Sequence, residues 1–335
     1  MYSKKATIAK EFIARLDKVS GEVLIFVHLS VDGDCIGAGC GLSEVLNNLG
    51  YKTRVAVCEE IPANMRFLGV EDYTVRLDGK CDPAPELVIA VDCAEGARMG
   101  ANGVIFDSCD NKLIVDHHKS VTIEADNYWI VPEASSASEL VYYLALELIA
   151  LKGREVKDVI TSKAANFIMA GMVTDTGRFA YANTRPETLK TAGELMVLGA
   201  EISPIMYWFF DSKDASQLLI CSLGASEARF DHCGKIASTI VTNEMFDRCN
   251  DPHSDIGEIV ARLRNVVGVR LAIVLREQED GAIRVNFRSF EPFDSAEFAA
   301  NYGGGGHQNA AGATVRGREI NELRDEMVKR ASELI

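Results

Sequence analysis

The stretch HLSVDGDCIG, residues 28–37, directly follows the apolar run VLIFV and places one histidine and two aspartates within seven positions. The run belongs to a predicted strand, GEVLIFVH at 21–28, and similar runs stand at 51–57, 86–93 and 111–118. Three of these four runs are apolar on both faces, which is typical of a parallel sheet covered by helices. The sequence therefore predicts strands that end abruptly in polar residues.

Helical patterns lie between and after these strands. They span residues 36–49, 136–151, 156–173 and 186–199, and Ser136 with Glu139 has the spacing of a capping box for the second. Strand and helix patterns in alternation predict an α/β class, with a doubly wound parallel-sheet domain at the N-terminus.

The second part of the chain changes character. Residues 204–224 read as a helical connector with the aromatic cluster YWFF, followed by predicted strands at 234–241, 269–277 and 282–290 and helices at 254–265 and 319–334. That mixture predicts a smaller α+β domain. We expect domains at 1–195 and 226–335, with a helical linker at 196–225.

Composition limits the classes of protein that fit. The chain has 335 residues, 47% hydrophobic residues and a net charge of -14, which argues against a protein that grips long nucleic acid through many phosphate contacts. The N-terminus lacks the apolar core of a signal peptide, and the longest apolar stretch is too short to span a bilayer. Nine cysteines without a C-x-x-C pair fit a reduced compartment, so we expect a cytoplasmic protein.

Acidic and imidazole side chains recur where predicted strands end. His28 ends the first strand, Asp92 ends LVIAV, and the trio at 116–118 ends KLIV. The carboxyl ends of parallel strands face one crevice, so these side chains should converge there. Asp175, near the end of the helical stretch NFIMAGMVTDTGRF, could reach the same crevice.

Several carboxylates in one crevice repel each other unless protons or cations intervene. A single aspartate at a strand end is equally well explained as a helix N-cap, but the whole set favours bound ions. Mixed histidine and aspartate ligands suit manganese, iron or related divalent ions, and two ions about 3.5–4 Å apart are standard for in-line attack on phosphorus. The residues alone thus favour a dinuclear phosphoesterase over a single-metal or structural site.

A second motif, NYGGGGHQNAAGA at 301–313, has four consecutive glycines before His307. Such a run can form an anion-binding nest, or it can be a flexible loop. Arg288, in the predicted strand RVNFRSF, is a natural bidentate partner for a phosphate, although an exposed edge-strand charge is the alternative.

These motifs resemble those of a known family. HLSVDGDCIG, AVDCAE, IVDHHKS and MVTDTGRF look like the four motifs of the DHH phosphoesterases, and GGGGHQNAAGA resembles the signature of the DHHA1 domain. The order and spacing are most similar to the bacterial nano-RNase and pAp phosphatase group. The resemblance implies a DHH domain followed by a DHHA1 domain, with the active site in the cleft between them.

The resemblance also implies roles for individual residues. His28, Asp32 and Asp92 would hold one metal ion, and Asp34, Asp92, His117 and Asp175 the other, with Asp92 as the bridge. His118 would contact the scissile phosphate and Asp116 would orient the histidine pair. From the second domain, substrate would be bound by these residues: Arg288, Gly303, Gly304, Gly305, Gly306 and His307.

The implied cofactor is two divalent ions, Mn²⁺ first, with Mg²⁺ or Co²⁺ as alternatives. The implied activity is hydrolysis of very short oligonucleotides to mononucleotides, of pAp to AMP and phosphate, or of both. A cyclic di-AMP or pApA phosphodiesterase is the nearest alternative, ahead of a pyrophosphatase or exopolyphosphatase and of a noncatalytic nucleotide sensor. The expected partners are these small phosphorylated nucleotides rather than a membrane, and a homodimer stays open.

Overall fold

The computed structural model describes residues 2–118, 127–250 and 256–335. Residues 119–120 of the motif IVDHHKS and the first two residues of the helix predicted at 254–265 lie outside these ranges. The chain divides into two compact units, Met1–Ser212 and Lys213–Ile335. Within the described ranges, every helix is too short or too polar to cross a membrane.

A six-stranded sheet forms the centre of the first unit in its described part. Its strands are β1 Val23–Phe26, β2 Thr53–Val57, β3 Thr74–Arg76, β4 Val88–Val91, β5 Lys112–Asp116 and β6 Tyr128–Ile130. All neighbours pair in parallel in the order β3-β2-β1-β4-β5-β6. The predicted doubly wound α/β fold is thereby confirmed.

Helices connect these strands. The α-helices are α1 Lys5–Leu16, α2 Gly33–Asn48, α3 Gly103–Ser108, α4 Ala137–Leu151, α5 Val156–Val159, α6 Ser162–Asp175, α7 Pro186–Val197 and α8 Ile202–Met206. Short 3₁₀ segments span Ala63–Leu68, Val70–Asp72 and Gly96–Asn102, and a π-helical turn spans Tyr207–Asp211. The helix predicted at 156–173 is thus two helices, because Ile160 and Thr161 leave the helical conformation.

Both faces of the sheet are covered, as fully apolar strands require. Ile25 and Ile89 point into the larger core, which is shared with α1, α2, α4 and α6. Phe26 and Ala90, one residue further along the same strands, point into a smaller core on the opposite face with Phe106 of α3. Alternate residues of each strand therefore fill different cores.

Helices α2 and α6 pack antiparallel and very closely. A Cβ on Gly37 would lie 2.5 Å from the carbonyl oxygen of Phe167 and 2.8 Å from the backbone nitrogen of Gly171. One turn further along α2, a Cβ on Gly41 would lie 2.8 Å from the Ile168 side chain. Glycine at these positions lets the two backbones touch, which brings the start of α2 to the end of α6.

The second unit contains a mixed six-stranded sheet in its described part. Its elements are α9 Ala215–Ser226, β7 Arg229–Asp231, β8 Ile236–Val241, α10 Asn243–Cys249, α11 Gly257–Arg264, β9 Leu271–Glu277, β10 Ile283–Ser289, α12 Ser295–Ala300, β11 Gly305–His307, β12 Ala310–Val315 and α13 Ile320–Ser332. The strand order is β11-β12-β10-β9-β8-β7, and only β8 and β9 pair in parallel among these strands. This architecture confirms the predicted smaller α+β domain.

Each face of this sheet has its own cover. Val285 and Phe287 of β10 point into a core formed with α12 and α13. On the other face, Ala272 and Val274 of β9 pack into a second core with α9, α10 and α11. Residues of the predicted linker are divided between the two units, since the first ends at Ser212 and α9 belongs to the second. The linker boundaries stay a prediction.

Two local features differ from the sequence patterns. Ser136 does cap α4, because its side chain accepts a hydrogen bond from the Glu139 backbone N–H, but Glu139 does not return a bond to Ser136. The Glu139 carboxylate accepts from the backbone N–H and the hydroxyl of Ser135 instead. The glycine run at 303–306, for which the sequence left an anion-binding nest and a flexible loop open, is partly extended, since Gly305 and Gly306 belong to the edge strand β11.

The close packing of α2 on α6 predicts the effect of a single methyl group. Gly37→Ala should lower the free energy of unfolding by about 1–3 kcal/mol, because backbone atoms of α6 have to move apart. Urea unfolding followed by circular dichroism measures this loss. Gly193→Ala in α7 is the matched control, since a Cβ there meets no atom within 4 Å in the described chain and should stabilise by about 0.5–1 kcal/mol. Equal effects in the two variants would contradict the packing argument.

Candidate metal centre

The polar residues converge at the point where the strand order reverses. β1 and β4 are neighbours in the sheet, while the chain runs outward from them in opposite directions through β2 and β5. His28 follows β1 and Asp92 follows β4 directly. In open α/β sheets, this switch point at the carboxyl ends of the strands is where ligands bind.

Asp92 occupies the centre of the crevice and is nearly fully buried. Its Oδ2 lies 3.3 Å from Nε2 of His28, and its Oδ1 lies 3.3 Å from Nε2 of His117. The backbone of Asp92 has a φ of +57°, a left-handed conformation that is rare for aspartate and strained. The two imidazoles therefore face opposite oxygens of one carboxylate.

Backbone carbonyls set the orientation of both rings. His28 Nδ1 lies 2.7 Å from the carbonyl oxygen of Leu29, which can only accept, so Nδ1 carries the proton. His28 Nε2 then faces Asp32 and Asp92; burial lowers the pKa of His28, but these two carboxylates raise it more, so a metal ion would replace the proton on Nε2. His117 has the same arrangement at longer range, with Nδ1 3.4 Å from the carbonyl oxygen of Ala134. A neutral histidine fixed in this way is the form that ligates metal.

The start of α2 contributes two aspartates with different surroundings. Asp32 caps the helix, and its Oδ1 accepts from the backbone N–H groups of Asp34 and Cys35. Asp34 is buried and accepts from the first turn of α4, at 2.6 Å from Ala137 N and 2.9 Å from Ser138 N. The α4 N-terminus is therefore an anchor for Asp34 that the sequence reasoning missed.

Asp175 arrives from the end of α6. Its Oδ2 lies 3.7 Å from His117 Nε2, and Asp34 Oδ2 lies 3.8 Å from the same nitrogen. The Asn183 amide lies beside Asp175, donating to its backbone carbonyl at 3.1 Å. The three residues Asp34, His117 and Asp175 thus surround one point of the crevice.

Asp116 and His118 lie at the end of β5. Asp116 is fully buried, and its Oδ1 accepts from the backbone N–H groups of His117 and His118 and from His118 Nδ1, the last at 2.7 Å. That contact leaves His118 Nε2 as the outward-facing nitrogen. About a third of the His118 side chain is exposed, which suits a group that meets a ligand.

The aspartates of this cluster differ in the direction of their pKa shifts. Burial favours the neutral form of Asp92, but His117 and His28 outweigh it and lower the pKa of Asp92 to about 2. Burial and the Asp92 carboxylate raise the pKa of Asp34 well above its ordinary value. Burial also raises the pKa of Asp175 to about 6. Cations would relieve the same repulsion that protons relieve here.

The donor set fits divalent metal ions. The buried Oδ1 of Asp92 has no hydrogen-bond partner among the described residues. Three sets of donor atoms lie within 4.8 Å of one another: Asp34 with His117 and Asp175, Asp92 with His117 and His118, and His28 with Asp32 and Cys35. The Cys35 thiol was not predicted, and only its position three residues after the N-cap Asp32 could have indicated it.

The predicted substrate residues lie in the second unit. Arg288, Ala310 and His307 are directly opposite one another across β10, β12 and β11, so their side chains share one face of the sheet. On that face, Arg284 and Asn286 line a shallow pocket of about 410 Å³ together with Gly303, Gly304 and Gly305.

The glycine run has a packing role. The N–H groups of Gly303 and Gly304 donate to the carbonyls of Ala300 and Ala299, at the end of α12. A Cβ on Gly304 would collide with the carbonyl oxygen of Gly312. These two glycine N–H groups are therefore already used, and Gly305 to His307 pair with β12, so the anion nest stays a prediction.

Family models match most of the chain. The model of the DHH family, N-terminal domain, matches residues 22–172, and the model of the DHHA1 domain matches residues 241–335.

Similar proteins cover nearly the full length. The chain is 30% identical over 297 residues to the bifunctional oligoribonuclease and PAP phosphatase NrnA of Bacillus subtilis, covering 88% of this chain and 89% of that protein. It is 29% identical to the protein of the same name from Thermus thermophilus, covering 95% and 91%. An exopolyphosphatase-related protein from Bacteroides fragilis has the same fold, with a TM-score of 0.81, 23% identity and coverage of 98% and 97%.

If the crevice binds divalent ions, metal should stabilise the fold. Mn²⁺ at about 100 times its dissociation constant should raise the free energy of unfolding by about 2.7 kcal/mol over chelator-treated protein. Thermal melting with and without Mn²⁺ measures this difference. Asp34→Asn should reduce the shift, whereas Asp78→Asn should keep it, because Asp78 is an exposed surface residue paired with Arg76. A full shift in Asp34→Asn would contradict the assignment of Asp34 to the centre.

Proposed function

This chain belongs to the DHH family and carries a DHHA1 domain, and we propose that it is a dinuclear-metal phosphoesterase. Its proposed substrates are very short oligoribonucleotides, which it hydrolyses to mononucleotides, and pAp, which it hydrolyses to AMP and phosphate. The similarity to two proteins named as bifunctional oligoribonuclease and PAP phosphatase supports this choice of substrates. Mn²⁺ is the proposed metal.

The position of Asp92 between two imidazoles carries the proposal. Each oxygen of this buried carboxylate faces a different histidine at 3.3 Å, and each histidine has its own neighbouring aspartates. A carboxylate that offers one oxygen to each side is suited to bridge two ions. His28 and Asp32 would complete one position, and the other would be completed by three residues: Asp34, His117 and Asp175.

Bound divalent ions would supply positive charge that lowers the pKa of water and neutralises the phosphate oxygens. The chain itself orients the reacting groups. Asp116 holds His118 with Nε2 outward, so His118 in its protonated form can donate a hydrogen bond from Nε2 to a nonbridging phosphate oxygen. Water adds to phosphorus as the bond to the ribose oxygen breaks, and that oxygen takes up a proton as it leaves.

Arg288 and His307 are proposed to bind substrate through the second unit. They share one row of the sheet, on the face where the glycine-lined pocket also lies. A guanidinium can bind a phosphate through two parallel hydrogen bonds, and a short nucleotide offers phosphates beyond the one that reacts. This acidic chain would thus bind small anions at a few built positions instead of along a basic groove.

The proposed activity is tested by incubating the protein with pApA, with pAp and with a short oligoribonucleotide, in Mn²⁺ or in chelator. Chromatography should show AMP formed from the first two, and mononucleotides from the third, in Mn²⁺ only. Cleavage of cyclic di-AMP with pAp left intact would instead favour the cyclic dinucleotide phosphodiesterase. Nucleotide binding without any product would favour a sensor and contradict an enzymatic role.

Asp92→Asn should abolish nearly all turnover in that assay, because an amide cannot replace a carboxylate that serves two ions. The Asp78→Asn variant is the control and should keep full activity. Circular dichroism should show both variants folded. An active Asp92→Asn protein would contradict the bridging role.

Arg288→Ala should raise the KM for pAp by roughly ten- to a hundredfold, since a hydrogen bond to a charged group contributes about 1.5–3 kcal/mol. Its kcat should change far less if Arg288 binds a phosphate that does not react. Steady-state kinetics separates the two constants. Arg316→Ala removes an exposed arginine that pairs with Asp280 and should leave both constants unchanged. An unaltered KM in Arg288→Ala would contradict the proposed contact.

A further inference from the structure

The turn at residues 134–138, which leads into the start of α4, contacts two predicted metal ligands directly and a third through Asn183. The carbonyl oxygen of Ala134 lies 3.4 Å from His117 Nδ1. The carbonyl oxygen of Ser135 accepts from the Asn183 amide at 2.9 Å, and the same amide lies 3.4 Å from Asp175 Oδ2. The N–H groups of Ala137 and Ser138 hold both oxygens of Asp34.

These contacts all serve the same side of Asp92. Asp34, His117 and Asp175 form one of the donor sets that fit a metal ion. The opposite side is held differently, because His28 is oriented by its neighbour Leu29 and Asp32 by N–H groups of its own helix. The turn at 134–138 is therefore specific to one of the two proposed metal positions.

Glu139 fixes the conformation of this turn. It is fully buried, and its Oε2 accepts from the Ser135 N–H at 3.0 Å and from the Ser135 hydroxyl at 2.5 Å. The Thr188 hydroxyl of α7 donates to the same oxygen at 3.2 Å. One oxygen of this buried carboxylate thus accepts three hydrogen bonds, which close the turn onto α4, while Oε1 has no partner among the described residues.

We propose that Glu139 is a positioning residue for the metal position formed by Asp34, His117 and Asp175. It touches none of these three side chains and acts through the backbone of the turn. Without Glu139, Ser135 loses two hydrogen bonds that fix the turn. The backbone groups that orient the three ligands would then no longer be held in fixed positions. The inference rests on the proposed dinuclear site and adds the residue that makes one half of it rigid.

The affinity for metal measures this role directly. Groups that orient metal ligands typically account for 10–100-fold in affinity. We therefore expect Glu139→Ala to weaken one of two Mn²⁺ positions by about 10–100-fold and to leave the other unchanged. A residue with a purely structural role would lower the melting temperature without separating the two positions.

Isothermal titration of the metal-free full chain with Mn²⁺ is the test. The wild-type protein should bind two ions per chain, and Glu139→Ala should bind one with the original affinity and one more weakly. Glu194→Gln is the matched control, because Glu194 accepts from Tyr142 of α4 at 3.0 Å and has no part in the turn. It should bind both ions as the wild type does.

Two further variants keep the test decisive if Glu139→Ala does not fold. Glu139→Gln keeps an acceptor oxygen for Ser135 and should retain most of the affinity. Asn183→Ala breaks the link between Ser135 and Asp175 on a partly exposed residue and should weaken the same position. Unchanged affinity at both positions in Glu139→Ala, or in Asn183→Ala where the former is unfolded, would overturn the inference. A wild-type chain that binds no Mn²⁺ would overturn the proposed metal site itself.

Discussion

The backbone contact between α2 and α6 is the constraint on which the crevice depends. Gly37 and Gly41 leave no room for a side chain between the two helices, so the helices have a single close register. α2 begins beside Asp34 and α6 ends at Asp175. A slip by one helical turn would move one carboxylate about 5.4 Å past the other. The packing of α2 on α6, which involves no site residue, therefore sets the distances between the aspartates of the cluster.

The aspartates of the cluster repel one another, so other contacts have to hold them together. Asp34 is buried beside other carboxylates, a situation that opposes folding unless strong donors compensate. The first turn of α4 supplies those donors, and its helix dipole has the right sign. Asp92 adds strained backbone to the same region. Such strain persists only where the surrounding core fixes it, and Ile89 and Val91 in β4 are fully buried.

Much of this arrangement could be predicted because it follows from local patterns. Apolar runs on both faces indicated the parallel sheet, and residues such as His28 and Asp92 at strand ends indicated a shared crevice, where they do lie together. The strands β3, β6, β7 and β11 were missed because three residues carry too little periodicity to detect, and β12 was missed because its alanines and glycine carry little strand preference. The metal and substrate roles of the predicted site residues stay predictions.

The contact of Asp34 with α4 had no local signal, because it depends on how two helices far apart in the sequence approach each other. The spacing of Ser136 and Glu139 suggested a reciprocal cap, but the Glu139 carboxylate accepts from Ser135, one residue earlier, and from Thr188 of the distant helix α7. Tertiary contacts override such local preferences wherever a buried charge needs partners.

All the predicted metal ligands, from His28 to Asp175, belong to the unit that ends at Ser212. Their order in the chain has a consequence for synthesis on the ribosome. The crevice cannot close until α6 has emerged, since Asp175 is its last member, and all its predicted ligands precede the DHHA1 region in the chain. Domains generally fold as units, the N-terminal one first. The acidic cluster can therefore assemble before the second unit is translated.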